Sequence, residues 1–396
     1  MSATSRNRLL LLLLPYLRDL LVKSSRTQGV PFNQPRPRLL FFIVFLLLLL
    51  LVLVLFFAWT NRVNPPPVAY GGGPGEYLFC FWNTENFFDN RVNGWNNKVD
   101  RPFDRWFAED NGVFEQKVKN LTEVLASLND GKGPDILALA EVEAESQAAE
   151  QLMDALNKAI KPEAPPYQHI LKKNPHSGRE IVTAILTRLP VVVGRTQLIG
   201  SRLRILEGHI TMDGQDLTVL ATHWTSRLSD ESGIRRAKYG DQIYGRFRAL
   251  YKVDPDVSLL VCGDFNDNPD DPSVTKHLRA TGDLNQIRAG DDPPLYNVFA
   301  DLWAKNKGGK EVGTHFYHGK GSIFDHIVVS PGMVNGKGGW QCLVDTAQIV
   351  KHRFVVPRGP NRGHPLRFGD KEEEVSLEER GVSDHLPVTV RLKVTR

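Results

Sequence analysis

The chain has 396 residues, of which 41% are hydrophobic and 24% are charged. This composition is typical of a globular protein with one large domain or two ordinary ones. The formal net charge is +4, but residues 1–62 hold eight basic residues and one acid, which leaves 41 of the 49 basic and 44 of the 45 acidic residues in the rest of the chain. The overall basicity therefore does not indicate a nucleic-acid-binding domain. The cysteines, Cys80, Cys262 and Cys342, are too few and odd in number for a disulfide framework.

A long apolar run lies near the amino terminus. Residues 1–38 are polar and basic, and residues 39–59 form a run of 21 residues without a charge. Because a helix rises ~1.5 Å per residue, such a run spans a hydrocarbon core of ~30 Å. Seven Lys or Arg residues precede it and only Arg62 follows closely, so the positive-inside rule places the amino terminus in the cytoplasm. We predict a single-pass anchor in the cell membrane, with the rest of the chain extracytoplasmic. A cleaved signal peptide fits less well, because the run is long and no small-x-small site follows it.

The rest of the chain divides into a linker and a globular domain. Residues 60–75 are rich in Pro and Gly and are interpreted as the linker. The globular domain is predicted to comprise residues 76–396, beginning with a strand over 77–82. Apolar residues at helical spacing predict helices over 114–129 and 149–160. Residues 90–107 are rich in Asn, Trp, Arg and Gly, and are interpreted as a surface loop.

Several predicted strands have acidic, amide or imidazole side chains at one end. The apolar run 259–262, for example, stops at Gly263, and two polar side chains follow it. In α/β sheets, ligands usually bind at the ends of strands, so this pattern predicts a site to which many strands contribute. The alternation of strands and helices favours an α/β sandwich of two packed sheets. The polar residues concerned are Glu141, His223, Asp264, Asn266, Asp325 and His385.

Three of these segments together resemble a known superfamily. They are Gly263-Asp-Phe-Asn266, Ser383-Asp-His-Leu-Pro-Val388 and Ile136-Leu-Ala-Leu-Ala-Glu-Val-Glu143. In this order they resemble the endonuclease/exonuclease/phosphatase superfamily, over roughly residues 77–394. The resemblance implies a four-layered α/β sandwich of two packed mixed sheets with flanking helices, here preceded by one transmembrane helix. It also implies a metal-dependent hydrolase of phosphoric esters.

The resemblance assigns a metal site to three residues. Asn83, Glu141 and Asp384 are expected to hold a divalent ion through oxygen atoms. Glu143 is a secondary candidate, because alternate residues of a strand share a face. Oxygen ligands favour Mg²⁺, and Mn²⁺ or Ca²⁺ is also compatible.

The resemblance also assigns catalytic roles. Asp264 is expected to orient or deprotonate the attacking water, and Asn266 to hold a phosphate oxygen. His385 is expected to contact the phosphate, with Asp325 fixing its tautomer, and His223 to serve as the second imidazole. Which imidazole serves the water and which the leaving group is left open. His326, next to Asp325, is expected on the opposite face of its strand and to tolerate alanine far better than His385 does.

Substrate recognition is less sharply indicated. His223-Trp-Thr-Ser-Arg227 matches the form "HWxSR" of many bacterial members, so Arg227 is a candidate for substrate binding. Arg235 and Arg236 begin a basic helical pattern, for which a solvated basic helix is the more common reason. The resemblance implies an arginine here that faces the phosphate, so either Arg235 or Arg236 is a candidate. The expected substrate is nucleic acid, hydrolysed by an endonuclease or phosphodiesterase. A lipid or sugar-phosphate phosphatase and an inactive membrane-tethered module remain alternatives, and no obligate protein partner is inferred.

Overall fold

The computed structural model describes residues 75–287 and 290–395. The predicted basic segment 1–38 and the predicted anchor 39–59 lie outside these residues, as does the predicted linker except for its last residue. Within the described part, no helix combines the length and the apolar character needed to cross a membrane.

Two mixed sheets and one separate hairpin contain the strands of the described part. The first sheet has the order β14-β15-β1-β2-β4-β3, the second has the order β5-β6-β7-β8-β13-β10-β9, and β11 pairs with β12. The bounds are β1 Glu76–Phe87, β2 Ile136–Glu143, β3 His169–Lys172, β4 Ile181–Thr187, β5 Gln197–Leu198, β6 Ile205–Met212, β7 Gln215–His223, β8 Leu259–Asp264, β9 Ala280–Thr281, β10 Leu295–Asn297, β11 His315–Tyr317, β12 Lys320–Ser322, β13 Asp325–Val329, β14 Trp340–Ile349 and β15 Val388–Val394.

The helices of the described part lie between these strands in the sequence. The two predicted helices are confirmed as α2 and α3. The prediction of a loop over residues 90–107 is wrong at its carboxyl end, where α1 begins at Asp100; its Pro102 lies in the first turn, where a helix tolerates proline. The bounds are α1 Asp100–Glu109, α2 Asn111–Gly131, α3 Ala148–Ala159, α4 Ile234–Val253, α5 Ala300–Asn306 and α6 Pro331–Asn335.

Successive side chains of the central strands point to opposite faces of the sheet, and each face packs into a different layer of the core. In β1, Phe79 and Phe81 belong to the core between the two sheets, whereas Cys80 belongs to the core between the first sheet and α1–α3. A third core packs α4 against the outer face of the second sheet, for example through Phe247 and Val261. The four-layered α/β sandwich predicted from the sequence is therefore confirmed. All three cysteines are buried as free thiols.

The strand ends that carry polar residues meet at one edge of the sandwich. In the second sheet, His223 of β7 pairs with Asp264 of β8, and Asp264 pairs with Asp325 of β13. These three residues therefore form a row across neighbouring strands, with side chains on the same face. In the first sheet, Asn83 of β1 pairs with Ala140, the residue before Glu141. The two sheets thus present their polar residues to a common cleft.

Candidate active site

Asp264 lies at the centre of the cluster in this cleft. Its Oδ2 is 3.7 Å from Nε2 of His223 and 3.7 Å from Nε2 of His385. Nδ2 of Asn83 donates to the same oxygen at 3.0 Å, and the other carboxylate oxygen accepts the N–H of Asn266 at 2.8 Å. Asn83, His223 and His385, which are far apart in the sequence and were predicted from separate motifs, are therefore brought around one buried carboxylate.

Glu141 adds a second carboxylate to the cluster. Its Oε1 lies 3.8 Å from Nε2 of His223 and accepts a long hydrogen bond of 3.4 Å from Asn83, while Oε2 accepts the N–H of Asn86 at 2.9 Å. Burial alone would raise the pKa of Glu141, but neighbouring basic groups, Arg179 among them, and the N–H of Asn86 hold this pKa at about 2. Glu141 is therefore ionised at neutral pH.

His385 is held by backbone and side-chain contacts on every side. Its Nδ1 lies 2.7 Å from Oδ2 of Asp325, and its carbonyl oxygen accepts from Nε1 of Trp82 at 2.9 Å. Its N–H donates to Oγ of Ser383, and that hydroxyl in turn donates to the carbonyl of Asn83 at 2.7 Å. The loop that carries His385 is thereby fixed to β1, close to the other residues of the cluster.

The two imidazoles differ in charge because their neighbours differ. Burial lowers the pKa of His223 to about 4, so this ring is neutral at pH 7. Burial also opposes charge on His385, but the carboxylates of Asp325 and Asp264 outweigh it, and the pKa of His385 lies well above its usual value. Burial raises the pKa of Asp264 to about 7, and the charge of Asp325 raises it further. A neutral ring and a charged ring thus flank Asp264.

Asn83 makes different contacts from those expected of a metal ligand. Its amide nitrogen faces the carboxylates of Glu141 and Asp264, and its Oδ1 accepts the N–H of Glu85 at 3.0 Å. The prediction of Asn83 as a direct oxygen ligand does not fit this arrangement. In this arrangement Asn83 orients the two carboxylates instead.

Glu143 does not share the cleft with Glu141, so the secondary metal assignment is wrong. Glu141 has a φ of +61° and lies at an irregularity in the pairing of β2, which disrupts the regular alternation of faces. The carboxylate of Glu143 accepts instead from the N–H of Asp89, the amide of Asn93 and the indole of Trp95. It therefore stabilises the loop after β1.

The predicted arginines are mostly neutralised by acids. Arg236 is buried and donates from Nε to Asp267 at 2.8 Å, so its predicted contact with a phosphate is wrong for this arrangement. Arg227 pairs with Asp267 and Asp271, donates to the carbonyl of Asn266 at 2.8 Å, and keeps 43% of its side chain exposed. Arg235 is exposed at the start of α4. The side chain of Arg235 does not take part in the buried ion pairs that hold Arg236.

Two predicted residues lie at the rim of the cluster. Asp384 has a side chain that is 38% exposed, with Oδ1 4.0 Å from Nε2 of His385. Its ligating atom lies within 4.8 Å of those of His315 and His385. Nδ2 of Asn266 donates to the carbonyl of Trp224 at 3.2 Å, and a φ of +53° sets the loop at this residue. Asn266 therefore lies beside Asp264, with its amide turned to the backbone.

The donor set fits a hard divalent cation. Ligating atoms of Asp264, Asp325 and His385 lie within 4.8 Å of one another. Oδ1 of Asp325 is buried and has no hydrogen-bond partner among the residues that the structure describes. Glu141 keeps 15% of its side chain exposed, so its oxygens remain accessible from the cleft. Carboxylate oxygens are the donors that Mg²⁺, Mn²⁺ and Ca²⁺ prefer, and Glu141 would hold such an ion at the edge of the cleft.

Two residues near the cluster had not been identified from the sequence. Lys117 of α2 is buried, and its Nζ donates to the carbonyls of Glu85 and Val382 at 3.0 and 2.6 Å. The available signal was its position, because Lys117 shares the apolar face of α2 with residues three before and four after it. The other is His315, whose ring centroid lies 4.9 Å from that of His385; it carries no local signal, because the contact depends on how the hairpin folds over the site.

The chain was compared with protein families, curated proteins and solved structures. A family model described as the endonuclease/exonuclease/phosphatase family matches residues 78–394, and no curated protein sequence matches the chain. Similar solved structures include TDP2 from D. rerio complexed with a single-strand DNA product (15% identity, 81% of this chain and 99% of that chain, TM-score 0.47). Others are the catalytic domain of human nocturnin (14%, 81% and 95%, TM-score 0.44) and a mannosyl-6-phosphatase from Bacteroides thetaiotaomicron (14%, 80% and 99%, TM-score 0.44).

The family match extends over β1 to β15, and so it includes every residue of the cluster. Members of this family hydrolyse phosphoester bonds with the help of divalent metal ions. The chain belongs to the endonuclease/exonuclease/phosphatase family and is a hydrolase of phosphoester bonds.

Proposed function

We propose that this hydrolase is a phosphodiesterase that cleaves nucleic acid with the help of Mg²⁺. The observation that carries the proposal is the position of Asp264 between two imidazoles, each 3.7 Å from the same carboxylate oxygen. Hydrolysis of a phosphodiester requires a base for the attacking water and an acid for the alkoxide that leaves. A carboxylate flanked by a neutral and a charged imidazole offers both the base and the acid, close enough together to act on one phosphate group.

The residues divide these tasks by their contacts. Asp264 orients the water and accepts its proton. His385, whose Nδ1 faces Asp325, presents Nε2 to the phosphate as a donor. His223 lies between Glu141 and Asp264 and serves as the second acid–base group. When bound, a divalent ion neutralises charge on the phosphoryl oxygens, and the oxygen-rich donors around Glu141 support Mg²⁺, with Mn²⁺ or Ca²⁺ as substitutes.

Two features favour nucleic acid over the alternatives. The pair His223 and His385 resembles the two-histidine arrangement of the deoxyribonuclease-like members of the family. Arg235 is exposed on the first turn of α4, and Lys238 lies one turn further on. Two cations spaced along a helix attract an extended polyanion more strongly than a single phosphate group.

The experiment is a substrate screen of the full-length chain in detergent with Mg²⁺. Its arms are plasmid DNA, single-stranded DNA and RNA oligonucleotides, phosphatidylcholine and sphingomyelin vesicles, and mannose 6-phosphate. We expect cleavage of at least one nucleic acid, with rates at least about tenfold above those of His385→Ala. Turnover of lipid or sugar phosphate without cleavage of any nucleic acid would replace the proposed substrate with one of the alternatives.

The same proposal includes a single-pass membrane anchor at residues 39–59, with the catalytic domain outside the cytoplasm. It is supported by the uncharged run and by the basic residues before it. Protease added to intact spheroplasts should degrade the catalytic domain and leave a cytoplasmic control protein intact. Protection of the domain until the cells are lysed would contradict this orientation.

A further inference from the structure

The hairpin β11-β12 lies against the catalytic imidazole. His315 forms an antiparallel bridge with His385, and the ring centroids of these two residues are 4.9 Å apart. The hairpin turns at His318 and Gly319, with φ values of +48° and +74°. Two successive positive φ values are typical of the tight two-residue hairpin turn. The position of the hairpin tip is therefore defined relative to His385.

One face of the hairpin contacts the catalytic imidazole through His315. Alternate residues of a strand share a face, so Tyr317 lies on the same face as His315, which contacts His385. The two residues are separated by ~7 Å along the strand. Lys320 pairs with Tyr317 across the hairpin, and cross-strand partners also share a face. The face of the hairpin that contacts the catalytic imidazole therefore also carries the aromatic ring of Tyr317 and, beside it, the cation of Lys320.

The base of the hairpin is fixed, whereas its aromatic tip is uncovered. The rings of Phe316 and His364 stack with centroids 3.9 Å apart, and His315 stacks on Phe324 at 5.5 Å. Tyr317, in contrast, is 69% exposed, and its ring contact is with the neighbouring His318. A tyrosine held rigidly by its backbone and exposed to solvent is a pre-formed stacking surface, because little conformational entropy is lost when it is covered.

We propose that Tyr317 stacks on an unpaired nucleobase next to the phosphate that is cleaved, and that Lys320 contacts the adjoining phosphate. This inference rests on the proposed function and names the form of its substrate, a single-stranded segment. Aromatic rings bind bases of every sequence through their faces, and a neighbouring cation binds the backbone. The hairpin therefore selects strands whose bases are free to stack.

The test is a double-mutant cycle between Tyr317 and the bases of the substrate, using the full-length chain. The substrates are a labelled hexathymidylate and a matched series in which one base at a time is replaced by hydrogen. We expect Tyr317→Ala to lower kcat/KM on the hexathymidylate by about fivefold or more, mostly through KM. On the oligonucleotide that lacks the stacked base, the loss should shrink to less than about twofold. Tyr317→Phe and Tyr317→Trp should restore the wild-type KM.

The outcomes separate this inference from the proposed function. If the wild-type chain cleaves no nucleic acid of the substrate screen, both fail. If it cleaves other nucleic acids but none of these oligonucleotides, only the stacking inference fails. If it cleaves them and Tyr317→Ala has the same KM as wild type, only the stacking inference fails. An equal loss for Tyr317→Ala on every abasic substrate would also overturn it, because that result indicates a structural effect of the hairpin.

The phosphate contact of Lys320 has its own measurement. For single-stranded nucleic acid, each phosphate contact contributes about 0.7 to the slope of log affinity against log salt. Lys320→Gln should therefore reduce the magnitude of the slope of log(1/KM) by about 0.7, whereas Lys119→Gln, which removes an exposed cation of α2, should leave it unchanged. An unaltered slope in Lys320→Gln would remove the phosphate contact from the proposal.

Discussion

Oδ2 of Asp325 lies 2.7 Å from Nδ1 of His385, and both side chains are buried. Asp325 begins β13 in the second sheet, whereas His385 lies in the loop that leads into β15 of the first sheet. The contact therefore joins the two halves of the sandwich at the catalytic cleft. Because Nδ1 is engaged by the carboxylate, Nε2 is the nitrogen that faces Asp264 and the substrate.

The first prediction is that Asp325 and His385 act as a unit. His385→Ala should lower kcat/KM by a factor on the order of 10²–10⁴, because it removes a positioned proton donor. Asp325→Asn should lose part of the same activation energy. The double variant should be no slower than His385→Ala alone, within about threefold, in measurements of kcat/KM on the substrate that the screen identifies.

The control for this cycle is Asp345→Asn, which neutralises an exposed carboxylate of β14 and should keep kcat/KM within about twofold of wild type. Circular dichroism should show that each variant is folded. Losses that multiply fully in the double variant would mean that the two residues act independently, and the coupling would then have to be abandoned.

The second prediction compares two glutamates that are two residues apart. Chelation with EDTA should abolish activity, and Mg²⁺ or Mn²⁺ should restore it. Glu141→Gln should weaken Mn²⁺ binding, measured by electron paramagnetic resonance, by about tenfold or more, because a neutral amide attracts a hard cation less than a carboxylate does.

Glu143→Gln is the matched control. It alters a buried carboxylate whose partners are Asp89, Asn93 and Trp95, so it should lower the melting temperature while leaving Mn²⁺ affinity within about threefold of wild type. Activity that persists undiminished in EDTA would remove the metal from the mechanism. Equal losses of Mn²⁺ affinity in both variants would contradict the assignment of Glu141.

The third prediction concerns pH and stability, at a site remote in sequence from the cluster. His209 of β6 is buried, with Nε2 2.9 Å from Glu207 and Nδ1 3.1 Å from Asp216. Burial opposes the charged ring, but the hydrogen bonds to Asp216 and Glu207 outweigh it and raise the pKa of His209. Because the pKa is raised on folding, the stabilisation is complete below the unfolded value of about 6.5 and is lost as pH rises through the folded value.

The measurement is the difference in melting temperature between wild type and His209→Gln. This difference should be larger at about pH 6 than at about pH 9. The carboxylates do not reverse the trend in this range, since the pKa of Glu207 is held at about 2 and that of Asp216 is also lowered. A difference that grows with pH would have the wrong sign for this argument. Asp216→Asn should make the pH dependence of the melting temperature shallower, because one of the two carboxylates is then lost.

The layers of the fold were predictable because side-chain periodicity reflects burial. The apolar alternation in β1 and the helical spacing in α2 each describe one interface, and both interfaces exist. Site residues were predictable where a motif lies at one end of a strand, as at His223, Asp264 and Asp325, because paired strands bring their ends together. The pairing of His385 with Asp325 came from the family resemblance, since nothing local in either motif predicts it.

The predictions that failed concern residues whose positions depend on tertiary contacts and not on the local sequence pattern. Alternation failed after Glu141, whose positive φ appears only in three dimensions. The same rule correctly placed His326 away from the cleft, but it did not predict the contacts of the ring. This ring is fully buried, stacked on Phe265 at 4.4 Å and bonded to the carbonyl of Asp267. His326→Ala should therefore lower the stability of the fold, and the expectation that it affects catalysis far less than His385→Ala stays a prediction. Arg236 was a candidate from the family resemblance, and its partner Asp267 lies 31 positions later in the sequence.

The last prediction concerns Lys117, which connects two segments of the site. Its Nζ donates to the carbonyl of Glu85, two residues after Asn83, and to that of Val382, just before Ser383. Burial lowers the pKa of Lys117 to about 8, against the opposing charge of Glu85. Lys117→Met keeps the apolar stem but leaves two buried carbonyls without a donor. At about 1–3 kcal/mol for each unsatisfied group, the free energy of unfolding should fall by about 2–5 kcal/mol.

Lys119→Met is the matched control, because Lys119 is exposed on the same helix, and its free energy of unfolding should stay within about 0.5 kcal/mol of wild type. Denaturant titration measures both. At a temperature where Lys117→Met is still folded, its kcat should fall more than its KM rises, because the loops that carry Asn83 and His385 lose their common tether and the catalytic groups are less well positioned. A Lys117→Met variant as stable as Lys119→Met would show that water satisfies the two carbonyls, and the tether would then have no energetic role.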